Sequence, residues 1–333
     1  MSLVRVPVRL MRAGTSRGPV MRERDIPLHG DARDRMLERM LTGDGPRDGL
    51  GGDSPTERKV VIVFDPEPDG VVPYQVGSLD DDGAVDWSGT CGNMTASVLP
   101  FLSEETGEEL SELRLRNVST SGLIDATQLA RADTGVWEVE TAFRDPTGPI
   151  TGSMLPVGSP RTILPVGGSD VETTIIDIAH PYVFLTRESF DAAVAATGDA
   201  AAVVAERIRG AAAVRAGLAA SAYEVSPALP RIAVIDAVGK DLEGRPEIAV
   251  TAFSMGAMID SVPVTCALCL AGGVTTPGTV MHVPLVEAGG ILVVRAPSGT
   301  VIASVTRDGD RLASVGVRRT VRSVIAGIAS VAC

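Results

Sequence analysis

The run Asp86-Trp-Ser-Gly-Thr-Cys-Gly-Asn-Met94 puts a hydroxyl, a thiol and an amide beside two glycines, just ahead of the small-residue run Met94 to Leu99. That order reads as a helix start, where unpaired N–H groups and the positive end of the helix dipole favour both a thiolate and a bound carboxylate. Gly89 and Gly92 allow a tight turn and a close approach of backbone to ligand, so Ser88, Cys91 and Asn93 can aim at one point. The segment reads as an anion pocket with a reactive sulfur. A capped helix holding a buried structural cysteine is the plainer alternative.

Other blocks bear on that choice. In order they are Met11-Arg-Ala-Gly-Thr-Ser-Arg-Gly18, Gly51-Gly-Asp-Ser-Pro-Thr-Glu-Arg-Lys59 running into Val60 to Val63, the cysteine segment, Arg114 to Gly122, Gly152 to Gly158, Ile176 to Phe184, Ser226 to Ala233, Ser254-Met-Gly256, Pro297-Ser-Gly299 and Arg319-Thr-Val-Arg322. In this order and spacing the chain resembles the 2-methylaconitate cis-trans isomerase (PrpF) family, within the diaminopimelate epimerase-like fold, over essentially all 333 residues. The Arg-x-Gly-Thr-Ser-Arg-Gly and Ser-Gly-x-Cys-Gly-Asn blocks are the specific ones.

The resemblance implies an α+β fold of two similar β-barrel-like halves, each wrapped around a central helix, with the active site in the cleft between them. The halves expected are residues 1–160, carrying the Lys and Cys segments, and 161–333, with the extreme C-terminus packing back on the first. The implied activity is a cofactor-independent 1,3-allylic proton transfer that moves a double bond or interconverts cis and trans forms of an unsaturated di- or tricarboxylate, such as 2-methylaconitate, 3-methylitaconate or an oxalomesaconate-like acid. That reaction needs a base of tuned basicity and donors for the charge that builds on the carboxylate as a dienolate forms.

Lys59 follows a Gly-rich loop and opens an apolar strand, where partial desolvation would bring its ammonium toward neutrality. Position alone makes it a solvated strand end, and the resemblance implies the general base/acid, with Cys91 as a second acid/base or a polarising thiol. Thr15, Ser16, Gly92, Asn93, Ser298 and Gly299 are turn or helix-start residues suited to gripping carboxylates, Ser88 lies beside them, and Arg17 could clamp one bidentately. Asn117, Thr120 and Ser121 line the same site or end a strand. Relatives place a His and a basic residue after Ser-Met-Gly where this chain has Ile259 and Asp260, which implies a substrate with fewer carboxylates. Two alternatives stand: an epimerase or racemase using two thiols, for which Cys266 is the nearest second thiol, and a non-catalytic relative that binds a metabolite.

Composition fits a soluble enzyme. With 44% hydrophobic but only 3% aromatic residues, cores must be built from Val, Leu, Ile and Ala, and 333 residues suggest two domains. A net charge of −12 with scattered basic residues argues against nucleic acid or an anionic membrane as partner, and leaves substrate binding to local donors. No apolar run approaches the ~18 residues of a membrane span, and Arg5, Arg9 and Arg12 interrupt any leader, so the cytoplasm is the expected location and a homodimer is allowed. Cys266 and Cys269 have CxxC spacing without a second pair or a neighbouring His, so no metal is expected and the pair reads as the buried face of a helix.

The elements that must position these groups follow from periodicity. Strands are expected at Leu3 to Leu10, Val60 to Phe64, Thr173 to Ile178 and Val183 to Leu185. Surface helices are expected at Asp31 to Leu41 and Ser189 to Gly217, and small-residue helices at Cys91 to Leu102 and Val264 to Val274. Asp65 to Gly70 and Asp80 to Gly83 read as hairpin tips, and the Gly/Pro-dense stretch Asp145 to Gly168 as the crossover.

Overall fold

Alternation of side chains along β-branched runs decides most of the architecture, because a strand covered on both faces buries every residue. The computed structural model describes residues 3–43, 48–80, 82–88, 91–226, 229–254, 256–283 and 290–332, so the expected turn at Gly89 lies outside the described residues. The chain first forms β1 (Leu3–Ala13), β2 (Ser16–Arg22), α1 (Gly30–Thr42), β3 (Lys59–Val63), β4 (Val72–Leu79), β5 (Val85–Asp86), α2 (Gly92–Thr95), α3 (Val98–Thr106), β6 (Glu112–Asn117), β7 (Leu123–Arg131) and β8 (Trp137–Arg144). It continues with β9 (Thr162–Val166), β10 (Ser169–Ile178), β11 (His180–Thr186), α4 (Arg187–Thr197), α5 (Ala201–Arg215), β12 (Arg231–Lys240), β13 (Pro246–Ser254), β14 (Ala257–Ile259), α6 (Val264–Val274), β15 (Ile291–Ala296), β16 (Gly299–Asp308) and β17 (Arg311–Ala332). The fold is mixed α+β and rich in sheet. Two compact units result, Met1–Arg144 with Arg318–Cys333, and Asp145–Val317, so that β17 passes from one to the other at Arg318.

In the first unit β1 is antiparallel to β2 and to the end of β17, and β2 is parallel to β3 with Val20 opposite Val61. Strand β3 pairs with β4, β4 with β5 on one edge and in parallel with β6, and β6, β7 and β8 follow as antiparallel neighbours. Val61 and Val63 of β3 join a core with Val20, Tyr74, Met94, Leu99, Phe101, Trp137 and Val321. Val60 and Ile62 point the other way, into a second core with Met36, Leu37 and Met40 of α1. Strand β3 is thus packed between α1 and the α2–α3 pair, and Lys59, two residues before Val61, falls on the α2–α3 side.

Two expected helices are each broken, for identifiable reasons. Within Cys91 to Leu102 the chain makes α2, a turn and then α3, because Pro100 has no N–H to give the carbonyl of Ala96 and its ring crowds that position. Phe101 N–H bonds Ser97 O at 3.0 Å and the Ser97 hydroxyl bonds Met94 O at 2.6 Å, which closes the joint. Ser189 to Gly217 divides into α4 and α5 because Gly198 takes a left-handed conformation (φ 67°) and its N–H caps Val194 O at 2.9 Å.

The second unit repeats the covered-strand arrangement. Ile175, Val183, Ile232 and Phe253 face Phe190 of α4 and Val204 and Ile208 of α5. Helix α6 is buried from Cys266 to Val274. Its glycines set how closely the sheet approaches: a Cβ on Gly272 would lie 2.3 Å from the Ile178 side chain, and one on Gly273 2.0 Å from Met281 Sδ.

Candidate active site

Cys91 is the N-cap of α2, in extended conformation, half-buried and packed against the core that holds Val61 and Val63. Its carbonyl accepts from Thr95 N–H at 2.9 Å and from the Thr95 hydroxyl at 3.0 Å, and that hydroxyl pairs with buried Tyr74 OH at 2.9 Å. The helix start is therefore pinned to β4, which leaves the thiol free to face the beginning of β2.

There Ser16 Oγ lies 3.7 Å from Cys91 Sγ. Asn93 Nδ2 donates to Thr15 Oγ1 at 3.0 Å and to Ser16 Oγ at 3.3 Å, while Asn93 Oδ1 accepts from Arg319 Nε at 2.6 Å. Thr15, Ser16, Cys91, Gly92 and Asn93 thus form one cluster. Arg319 was not among the site residues expected from sequence, although Arg319-Thr-Val-Arg322 was one of the blocks. Gly14 makes the cluster possible: its φ is +53°, and a Cβ there would lie 2.7 Å from Asn93 Oδ1 and 2.8 Å from Arg319 Cδ.

Lys59 reaches the same side by another route. Gly18, two residues past Ser16 and on the same face of β2, sits against Lys59 so closely that an added Cβ would be 2.0 Å from the Lys59 carbonyl oxygen. Across the sheet Lys59 is opposite Ser78 of β4, and Ser78 is opposite Asp86 of β5. Directly opposed residues share a face, and the Lys59 ammonium donates to Ser78 Oγ at 2.6 Å. Asp86 is held below the usual carboxylate range, chiefly by the hydroxyl and then the N–H of Ser88, with burial opposing and the charge of Lys59 adding a smaller pull. Ser88 spends its N–H (2.8 Å) and hydroxyl (2.7 Å) on Asp86, so its expected place beside the ligand becomes an orienting one. Ser78 and Asp86 escape a reading of the sequence because only hairpin register brings them to Lys59.

The other expected residues fall elsewhere. Arg17 stands 3.6 Å from Glu57 in a loose ion pair. Asn117 is buried and accepts from the N–H groups of Ser119 and Thr120 at 2.9 and 3.2 Å, ending β6, while Ser121 holds φ 58°. Ser298 and Gly299 belong to the second unit, at the β15–β16 turn, and the Ser298 N–H is given to Asp260 O at 2.8 Å. Cys266 and Cys269 are both 0% exposed; burial pushes Cys266 up to about 12, and Cys269 Sγ donates to the Ile178 and His180 carbonyls at 3.0 and 3.1 Å. Among the described residues no group of three or more His, Cys, Asp and Glu side chains is placed to hold a metal ion, and no helix is long and apolar enough to cross a membrane.

The family model described as PrpF protein matches residues 3–332, and the chain belongs to that family. It is 27% identical to 3-methylitaconate isomerase of Eubacterium barkeri over 97% of this chain and 96% of that one, and 26% identical to 2-methyl-aconitate isomerase of Cupriavidus necator over 84% of each. The crystal structure of methylitaconate-delta-isomerase matches with a TM-score of 0.83 at 24% identity, covering 99% of this chain and 96% of that one, so the two share a fold.

Proposed function

We propose that the protein is an isomerase that shifts a double bond in a small unsaturated di- or tricarboxylate by moving one proton between allylic carbons, without a cofactor. The observation that carries this reading is that β3 faces the α2–α3 core with Val61 and Val63, which puts Lys59, its ammonium on Ser78, on the same face of the sheet as Ser16 and the Cys91 thiol beside it. Lys59 acts as the general base and acid, Ser78 and Asp86 fix its direction, and Cys91 is the polarising or second acid/base partner. The hydroxyls of Thr15 and Ser16 and the amide groups at the α2 start hold a substrate carboxylate and stabilise the dienolate charge. Substrates of the 3-methylitaconate and 2-methylaconitate class are proposed because the relatives carry those names and span nearly the same length. Each unit's sheet closing around its buried helix, α2–α3 or α6, is the finer form of the fold proposed here.

The reading that uses two thiols is disfavoured by Cys266, which is fully buried and held protonated in the neutral range. The test is incubation of the enzyme with a panel of methylitaconates, aconitates and an amino acid, followed by proton NMR. Positional isomerisation of an unsaturated acid, lost in Lys59→Ala, supports the proposal; racemisation of the amino acid alone overturns it.

A further inference from the structure

Arg319 is nine-tenths buried, and among the described residues no carboxylate forms an ion pair with it. Its neighbour Arg318 has Glu140 at 3.1 Å, but Arg319 bonds only neutral acceptors, Asn93 Oδ1 through Nε and the Arg318 carbonyl through a terminal nitrogen at 2.7 Å. A buried guanidinium without an opposite charge is costly. Burial brings it down to about 10, still well above neutrality, with Cys91 as the group that opposes the shift. The hydrogen bonds then acquire a direction. A guanidinium can only donate, so Asn93 must present Oδ1 to it and Nδ2 to the hydroxyls; Ser16 Oγ, already accepting from Asn93, has its own proton to turn toward the sulfur 3.7 Å away.

We propose that Arg319 is a positioning residue and counter-ion for Cys91, acting through a one-way relay of Arg319 to Asn93 to Ser16 that directs a proton donor at the sulfur and holds it as a thiolate before substrate binds. The relay draws on Arg319 from β17, Asn93 from α2 and Ser16 from β2, and Ser16 is its member within reach of the sulfur; the carboxylate nearest in sequence, Asp86, is bound by Ser88 and feels the charge of Lys59. This deepens the proposed isomerase site and rests on that reading only for its use in turnover. In turnover the sulfur held this way serves as the polarising or second acid/base partner of Lys59.

Alkylation of Cys91 by iodoacetamide, followed across pH with peptide-level mass spectrometry in the absence of substrate, reads the thiolate directly. It separates Cys91 from the buried Cys266 and Cys269 and does not depend on the reaction catalysed. Arg319→Met is expected to slow alkylation near neutral pH about tenfold or more and to move the profile to higher pH, since a charge-assisted contact is lost. Arg319→Lys should recover most of the rate, and Ser16→Ala should displace the profile in the same direction. A folded Arg319→Met enzyme with the wild-type profile overturns the proposal, as does one in which only KM for substrate rises, which would make Arg319 a direct carboxylate anchor. If Arg319→Met does not fold, Ser16→Ala decides: a displaced profile supports the relay and an unchanged one overturns it. Normal alkylation behaviour with no isomerisation of any unsaturated acid would instead count against the proposed function alone.

Discussion

The two units begin their buried helices with the same fastening and opposite chemistry. Tyr74 OH meets Thr95 Oγ1 at 2.9 Å in the first, and Tyr182 OH meets Thr265 Oγ1 at 3.2 Å in the second. Around α2 the thiol is half-buried among hydroxyls, an amide and a guanidinium. Around α6 the N-cap is Pro263, and the thiols of Cys266 and Cys269 are fully buried, where desolvation raises both and Tyr182 with them, against a smaller opposing pull of Arg231 on Cys266. A cysteine near a helix start is therefore not a reactive group by position alone. Among the described residues, partial exposure and a hydroxyl within reach of the sulfur set Cys91 apart from Cys266.

The sharpest way to break this comparison is to remove the base. Lys59→Ala should lower turnover on the order of 10²-fold or more with little change in melting temperature, because the lysine heads a strand while Val60 to Val63 hold it in place. Activity within a few-fold of wild type would show that the chemistry lies elsewhere. Next comes Gly18→Ala, where a methyl group 2.0 Å from the Lys59 carbonyl must push β2 from β3. Overpacking of this kind costs about 1–3 kcal/mol, so both melting temperature and turnover should fall, and an unchanged enzyme would mean that Gly18 does not set the lysine's position.

Exchanging the thiols sharpens the contrast further. Cys91→Ser should reduce turnover, though less than Lys59→Ala, without destabilising the fold. Cys269→Ala should do the reverse, costing about 1 kcal/mol through the carbonyls of Ile178 and His180 that lose their donor while turnover stays intact. Comparable losses of activity in both variants would revive the two-thiol reading. The smallest effect concerns pH. Cys266 is raised in the fold from 9.0 to about 12, so its contribution to stability is complete below pH 9 and is lost as pH climbs toward 12. Cys266→Ala should therefore show a shallower alkaline fall in melting temperature than wild type over that window.

Much of this was legible because local sequence carries it. The glycine-flanked cysteine before small residues announced a helix start, and Val60 to Val63 announced a strand with Lys59 at its head. The partners of Lys59 were hidden because Ser78 and Asp86 depend on cross-strand register, which no single segment encodes. Arg319 lies 226 residues from Asn93, and nothing in Arg319-Thr-Val-Arg322 says which side chain turns inward. Pro100 and Gly198 did signal the helix breaks, and the apolar and alanine-rich patterns around them concealed it.

Deuterium tracing tests the central claim most directly. In D2O, with 3-methylitaconate or 2-methylaconitate as substrate, the account predicts that wild-type enzyme shifts the double bond and places deuterium at the allylic carbon. It also predicts that Lys59→Ala does neither and that Cys266→Ala behaves as wild type. Allylic exchange that persists at the wild-type rate in Lys59→Ala, or vanishes in Cys266→Ala while the fold is intact, would contradict a single proton-transfer site built on Lys59 and Cys91.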